Sequence, residues 1–512
     1  MKARLIFRDR DFDWRWARAV AAEREARRTG RRSEQDQTFD PQAGWPWQSD
    51  ALIQDLGLDT LFDAMAGGDD YVFEIARRLV LEAACGDPDV IRYRQDILRD
   101  CLAQPAAVRE LYAIACEAEE KGKKHYLGGT LQRYPDWRLR HAIELLDALI
   151  DTVGKLVRLA DSHDGEFTSE GWSRFFAMVR EELGGNYLAS AECRLQELKF
   201  KNGMVFSARL GGDNQGTDYV LHQPPPGSES RLKRFLREHF PRLFRVRPTD
   251  FGFALDPRDE SGFRALEALK NEGIVIAADA LGGASTHVRD FFAMLRAELA
   301  FYVGCINLYE TLAQQGEPVC IPEVVSAGQR ELSFRGLYDA CLTLHAGRRA
   351  VGNEADVASK RLIVVTGANQ GGKSTFLRSV GLAQLMMQCG LFVPAESLRA
   401  VVHNGLFTHF KREEDAGMKS GKFDEELARM SAIVDHLTAR SMILFNESFA
   451  ATNEREGSEI ARQIVSALME TPVTMIYVTH LYELARTLYE NNDGSVFFLR
   501  ADREDDGTRT FE

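Results

Sequence analysis

Residues 362–374 read LIVVTGANQGGKS, and this stretch decides the fold of the C-terminal third of the chain. The apolar run Leu362 to Val365 has the length of a buried strand, and Phe376 to Met387 continues as a helix. Between them, Gly367-Ala368-Asn369-Gln370-Gly371-Gly372-Lys373-Ser374 fits the spacing G-x-x-x-x-G-K-[ST]. Gly367, Gly371 and Gly372 let the backbone curl until its N–H groups face one point at a helix N-terminus, which is how a chain holds phosphate. On this reading Lys373 reaches the β- and γ-phosphates of a nucleotide, Ser374 binds magnesium, and Thr375 completes the nucleotide-binding turn.

Working downstream, Met442-Ile443-Leu444-Phe445-Asn446-Glu447 predicts a second buried strand whose polar end enters the same site. Glu447 stands where a carboxylate polarises an attacking water, so the metal-supporting set is Ser374, Asn446 and Glu447. The Asp usual at position 446 is an Asn, and an amide cannot supply the same negative charge, so weaker metal affinity or slower hydrolysis is expected. His480, at the end of the apolar run Met475 to Thr479, is placed to contact a γ-phosphate. The plainer alternative is a structural strand-end histidine. The other two motifs favour function, which makes Lys373, Glu447 and His480 the catalytic candidates. With a further run at Val496 to Leu499 and helical stretches between, everything after Gln329 reads as an α/β sheet domain.

Upstream the apolar period is helical from Asp50 to about Cys193. Asp87-Pro88 is an N-cap and first-turn pair. Leu139, Ile143, Leu146, Ile150, Val153 and Val157 form a heptad seam, the mark of a long helix packed along another. A second long helix is predicted from Ser285 or Thr286 to Leu312. Between Leu198 and Pro226, short alternating runs around Gly211-Gly212-Asp213-Asn214 predict a hairpin. The following segment, RLKRFLREHFPRLFRVR, carries Arg231, Lys233, Arg234, Arg237, Arg242 and Arg245 with interleaved Phe residues. It reads equally as a phosphate-binding DNA contact or as an amphipathic helix with solvated arginines. The first 35 or so residues are Arg-rich and read as a short helical arm, with a linker at Pro41 to Pro46.

The chain's 512 residues are enough for about three domains. Its 45% apolar and 28% charged composition excludes a mostly disordered or membrane-spanning class. The net charge of -13 argues against nucleic acid unless positive charge is local, as it is at Arg231 to Arg247 and in the N-terminal arm. Eight cysteines without a C-x-x-C pair give neither a zinc site nor a disulfide framework, and read as buried hydrophobes in a reduced cytoplasm. No signal peptide or membrane span is expected.

In order and spacing, TGANQGGKSTFLRSVGLAQLMMQCGLFVPA, GLFTHFKREED, SGKFDEEL, ILFNES and VTHLYELA resemble the ATPase domain of the MutS mismatch-repair family. DPDVIRYRQDIL and ELAFYVGCINL look, more weakly, like that family's helical core and lever. The resemblance implies a multidomain α and α/β protein: a basic arm and linker over 1–48, a helical core and lever over 49–320 with a clamp-like insert at about 196–260, and an ABC-type P-loop ATPase domain over 321–512. It implies ATP and Mg2+ as cofactors, a homodimer with nucleotide between two ATPase domains, and DNA as partner. Asn369 then belongs to the phosphate loop, Asn353 in Val351-Gly352-Asn353 lies at the adenine, and Ser420 contacts the nucleotide in trans, although Ser-Gly-Lys-Phe departs from the usual Ser-Thr-Phe. Neither the Phe-x-Glu mismatch-reading domain nor the connector fits before the helical core, and the family's terminal dimerisation helices are not expected, so mismatch reading is not implied.

The expected function is an ATP-dependent DNA-binding protein in which closure of two ATPase domains drives a DNA clamp through lever helices, in repair or recombination. The alternative is a slowly hydrolysing, ATP-held dimer that recruits a protein partner. A small-molecule kinase would leave the lever-like helices without a role.

Overall fold

The structure is a computed structural model that describes the chain except residues 18, 21–44, 84–85, 125–134, 200–204, 211–215, 223–259, 326–329, 369, 413–420, 492–493, 503–509 and 512. The described residues are mixed α and α/β, and they fold as two compact units. One comprises Met1, 113–162 and 176–293, and the other comprises 2–112, 163–175 and 294–512.

In the first unit, α1 (Pro135–Ser162) carries the seam seen in the sequence. Leu139 and Ile143 are buried against Leu195 of α2 (Gly185–Leu198) and against Ile274 and Ala278 of α3 (Glu260–Gln314), with Leu146 and Ile150 at the margin. Leu149, Leu156 and Leu159 are buried as well, so α1 is apolar on more than the seam. Arg138–Asp279 and Lys199–Asp147 pair at 2.7 and 2.9 Å along the same contacts. The expected hairpin is present as β1 (Val205–Leu210) and antiparallel β2 (Gly216–His222).

The predicted start of the second long helix at Ser285 is corrected, since α3 begins at Glu260 and runs through Gly282 and Gly283. The Ser285 hydroxyl donates to the Gly282 carbonyl within the helix at 2.9 Å. The stretch Ile274–Gln314 is long and apolar enough to cross a bilayer, but its most apolar window is 89% buried within the protein.

In the second unit the expected helical arm is present in part, since residues 14–17 and 19–20 are helical. Residues 2–12 form no helix, and Leu5 and Ile6 are fully buried. The segment is held as a strap: Tyr93 and Tyr302 hydroxyls donate to the Arg4 and Leu5 carbonyls at 2.7 and 2.5 Å, Arg94 donates to the Ile6 carbonyl at 3.1 Å, and the Leu5 N–H donates to Glu298. Asp87 caps α4 (Pro88–Ala103) as expected, accepting from Asp89 N–H at 3.0 Å.

The α/β part is a five-stranded parallel sheet whose spatial order is β11 (Val496–Arg500), β6 (Leu362–Thr366), β10 (Thr474–Val478), β9 (Met442–Asn446) and β8 (Leu406–Phe410). Helices lie on both faces, as a parallel sheet requires. Leu362, Ile443, Phe445, Met475 and Tyr477 pack on α6 (Lys422–His436), α7 (Glu454–Met469) and α8 (Tyr482–Glu490). On the other face lies α5 (Lys373–Cys389), so close that a Cβ on Gly381 would stand 2.6 Å from the Leu444 side chain. The side-chain amide of Gln48 closes the edge of β8 by pairing with the Thr408 N–H and carbonyl at 3.1 and 3.2 Å. A second, mixed sheet (β3 Glu323–Val325, β7 Ser397–Val401, β4 Leu332–Leu337, β5 Asn353–Asp356) was not legible in the sequence. Cys101, Cys305, Cys341 and Cys389 are buried thiols, whereas Cys193 is exposed.

Candidate nucleotide site

Because β10 lies between β6 and β9, the loops leaving the carboxyl ends of these three parallel strands converge, the usual position for a ligand in such a sheet. The loop after β6 is too tight for side chains at Gly367 and Gly371. Gly367 has φ +124, and a Cβ there would stand 3.0 Å from the Ala501 nitrogen. At Gly371 a Cβ would stand 3.0 Å from the Ala368 carbonyl oxygen. Gly372, at φ +87, precedes α5 without any side-chain cap, so the first amides of this 17-residue helix point into the loop. Gln370 is also left-handed, at φ +60, and was not singled out from the sequence.

Lys373 is buried and curls back so that its Nζ donates to the Gly367 and Ala368 carbonyls at 3.0 and 2.9 Å. Burial lowers its pKa, and the nearby Glu447 carboxylate opposes that shift. The Ser374 hydroxyl donates to Asn446 Oδ1 at 2.8 Å, which joins α5 to the end of β9. Glu447 follows with a left-handed backbone, φ +52, and its N–H is fixed to the Val478 carbonyl at 2.9 Å. Non-glycine residues in this region carry strain that clusters at functional sites. His480, after β10, brings its Nδ1 to 3.8 Å from Glu447 Oε2.

A cavity of about 770 Å³ opens here, lined among others by Val351, Asn353, Lys373, Ser374, Thr375 and Glu447. At its far end Gly352 is obligatory by close approach, since a Cβ would lie 2.9 Å from the Gly336 Cα. Buried Glu317 holds this loop by accepting the Ala350 N–H at 2.7 Å and standing 3.7 Å from the Arg349 guanidinium. Arg348, Arg349 and Phe511 also line the cavity, and no sequence signal had pointed to them.

The structure thus brings together Gly367, Gly371, Gly372, Lys373, Ser374, Thr375, Asn446, Glu447 and His480, with Asn353 lining the same cavity. Asn369, Ser420 and the candidate DNA-binding residues Arg231, Lys233, Arg234, Arg237, Arg242 and Arg245 lie outside the described residues. Among the described residues no group of three His, Cys, Asp or Glu side chains forms a separate metal cluster. The hydroxyl of Ser374, the amide oxygen of Asn446 and the adjacent Glu447 carboxylate are hard oxygen donors of the kind magnesium takes.

Residues 86–315 match the family described as the MutS2 N-terminal domain, and residues 363–511 match MutS domain V. The chain is similar to the DNA mismatch repair protein MutS of Desulforamulus reducens, at 35% identity over 131 residues, 25% of this chain and 15% of the relative. It is similar to that of Porphyromonas gingivalis at 35% over 216 residues, 38% and 24% of the two chains. With that of Thermus thermophilus the identity is 32% over 151 residues, 28% and 18%. The chain spans less than a quarter of the length of each of these relatives.

Proposed function

Because this chain is a MutS-related protein, we propose that it is an ATP-dependent DNA-binding protein whose residues 321–512 act as an ABC-type P-loop ATPase domain. The observation that carries the reading is the Ser374–Asn446 bond, which sets the phosphate-loop helix beside the strand end that presents Glu447. Lys373 leaves the Gly367 and Ala368 carbonyls to meet the β- and γ-phosphates, and the first amides of α5 share the same charge. Glu447 takes a proton from water as the water oxygen bonds to the γ-phosphorus. The bond from that phosphorus to the bridging oxygen breaks, leaving ADP and phosphate. His480 donates to the γ-phosphate, Asn369 supports the loop, and Asn353 lies against the adenine. Ser374, Asn446 and Glu447 would hold a magnesium ion, which neutralises phosphate charge when bound.

In the fuller form of this proposal the protein is a homodimer, with Ser420 of one copy closing on the nucleotide of the other. The helical region 49–320 transmits that closure to a clamp at about 196–260, where Arg231 to Arg245 meet DNA phosphates, in a cytoplasmic repair or recombination reaction. The relatives' printed name, DNA mismatch repair protein, supports the repair assignment. Asn446 favours a second reading, an ATP-held dimer that hydrolyses slowly and recruits a protein partner, because a neutral amide supports the metal less strongly than a carboxylate.

The test is ATP hydrolysis with no DNA, homoduplex, mismatched duplex and branched DNA, with Lys373→Ala as control, alongside DNA binding across a salt series. Stimulation by any DNA together with salt-sensitive binding supports the first reading. Equal rates in all four conditions, with ATP-dependent dimerisation, favour the second. Hydrolysis that persists in Lys373→Ala defeats both.

A further inference from the structure

Ser448, one residue beyond Glu447, is fully buried and held from several sides. Its hydroxyl lies 2.7 Å from His409 Nδ1 and 2.5 Å from the His409 carbonyl, and its own carbonyl accepts the Tyr477 hydroxyl at 2.8 Å. The residues on either side, Glu447 and Phe449, are both left-handed without being glycine, at φ +52 and +62. A turn bent this way keeps its shape only where its surroundings over-determine it.

The other ring nitrogen of His409, Nε2, lies 3.0 Å from the Glu426 backbone carbonyl in α6. That carbonyl can only accept, so Nε2 carries a proton, while the single Ser448 hydroxyl proton faces both the His409 carbonyl and Nδ1. Burial pushes the His409 pKa down to about 4, which keeps the ring neutral. One imidazole therefore spans from the first turns of α6, across the end of β8, to the turn that aims Glu447. His409 also stacks on Phe449 at 5.2 Å between centroids, but stacking alone would be served by an apolar ring, with no need to satisfy two buried nitrogens.

We propose that His409 is a positioning residue that links helix α6 to the Glu447 turn, so that the placement of α6 governs hydrolysis and leaves nucleotide binding unchanged. This rests on the reading of Glu447 as the base of an ATPase. His409→Gln and Ser448→Ala each cut the link, and Ser448→Ala leaves the ring in place should the other variant fail to fold. Each lowers kcat about tenfold with KM for ATP and ATP affinity within about twofold of the parent. Neither lowers the residual rate further in a Glu447→Gln background, because both act through the same carboxylate. Unchanged kcat, kcat and KM moving together, or losses that multiply with Glu447→Gln would overturn the inference while leaving the ATPase reading standing. A parent protein that binds ATP but releases no phosphate in single-turnover measurements overturns both.

Discussion

The Ser374 hydroxyl and the Asn446 side-chain oxygen meet at 2.8 Å, so the two groups expected to serve one magnesium ion are already in hydrogen-bond contact. An Asp at 446 would accept the same bond and add a full negative charge at the metal. Asn446→Asp is therefore expected to raise ATP turnover about tenfold, equivalent to about 1.4 kcal/mol of barrier, and to lower the magnesium concentration at half-maximal rate. Steady-state hydrolysis over a magnesium titration measures this. An unchanged magnesium dependence would show that Asn446 is not a metal-supporting group.

Glu447 and His480 stand 3.8 Å apart yet carry different assignments, and their variants separate them. Glu447→Gln keeps the side chain's shape and removes the proposed base. Turnover should fall by about 10²- to 10⁴-fold with ATP binding retained. His480→Ala removes a phosphate contact and should cost both kcat and affinity. Calorimetric ATP binding beside hydrolysis distinguishes the two, and equal loss of binding in both variants would mean that Glu447 only shapes the cavity.

The site was legible where its chemistry is local. The β6 strand, the glycine loop and α5 are contiguous, and each announces itself by period or spacing, so Lys373 and Ser374 could be read directly. What the sequence hid depends on partners far along the chain. β8 reads Leu-Phe-Thr-His-Phe, with two polar residues inside a strand buried throughout; the His409 ring meets Ser448 and the Glu426 carbonyl, and Gln48 pairs with the Thr408 backbone. The strap at 2–12 is rich in charge and looks solvated. Its Leu5 and Ile6 are buried, and its backbone is held by Tyr93, Arg94, Glu298 and Tyr302, whose sequence distance no local pattern can express.

Gly352→Ala tests the proposed adenine contact. Its Cβ would meet the Gly336 Cα at 2.9 Å and the Gly336 carbonyl carbon and oxygen at 3.0 Å, all backbone atoms that cannot swing aside. The segment Val351–Asn353 must move instead. A rise in KM for ATP of about tenfold, with kcat at saturation little changed, is the pattern of lost uniform binding. An unaltered KM would remove this segment from the nucleotide site.

Glu298 makes the strap pH-sensitive. Its carboxyl is fully buried, and burial lifts its pKa from 4.5 to about 7 even though the strap's Leu5 and Ile6 amides favour the ionised form. Below about pH 4.5 the folded and unfolded chains are both protonated here, and the group has no effect on stability. Between about pH 4.5 and 7 the unfolded chain releases the proton while the folded chain keeps it. Stability from this group therefore falls as pH rises, by about 3 kcal/mol in all, and stays at that penalty above about pH 7. Glu298→Gln has no proton to lose and can still accept the Leu5 N–H. Its denaturation midpoint relative to the parent should climb from about pH 5 to about pH 7 and then level off. Parallel midpoint curves for the two proteins would show that Glu298 ionises in the folded protein as readily as in the unfolded chain.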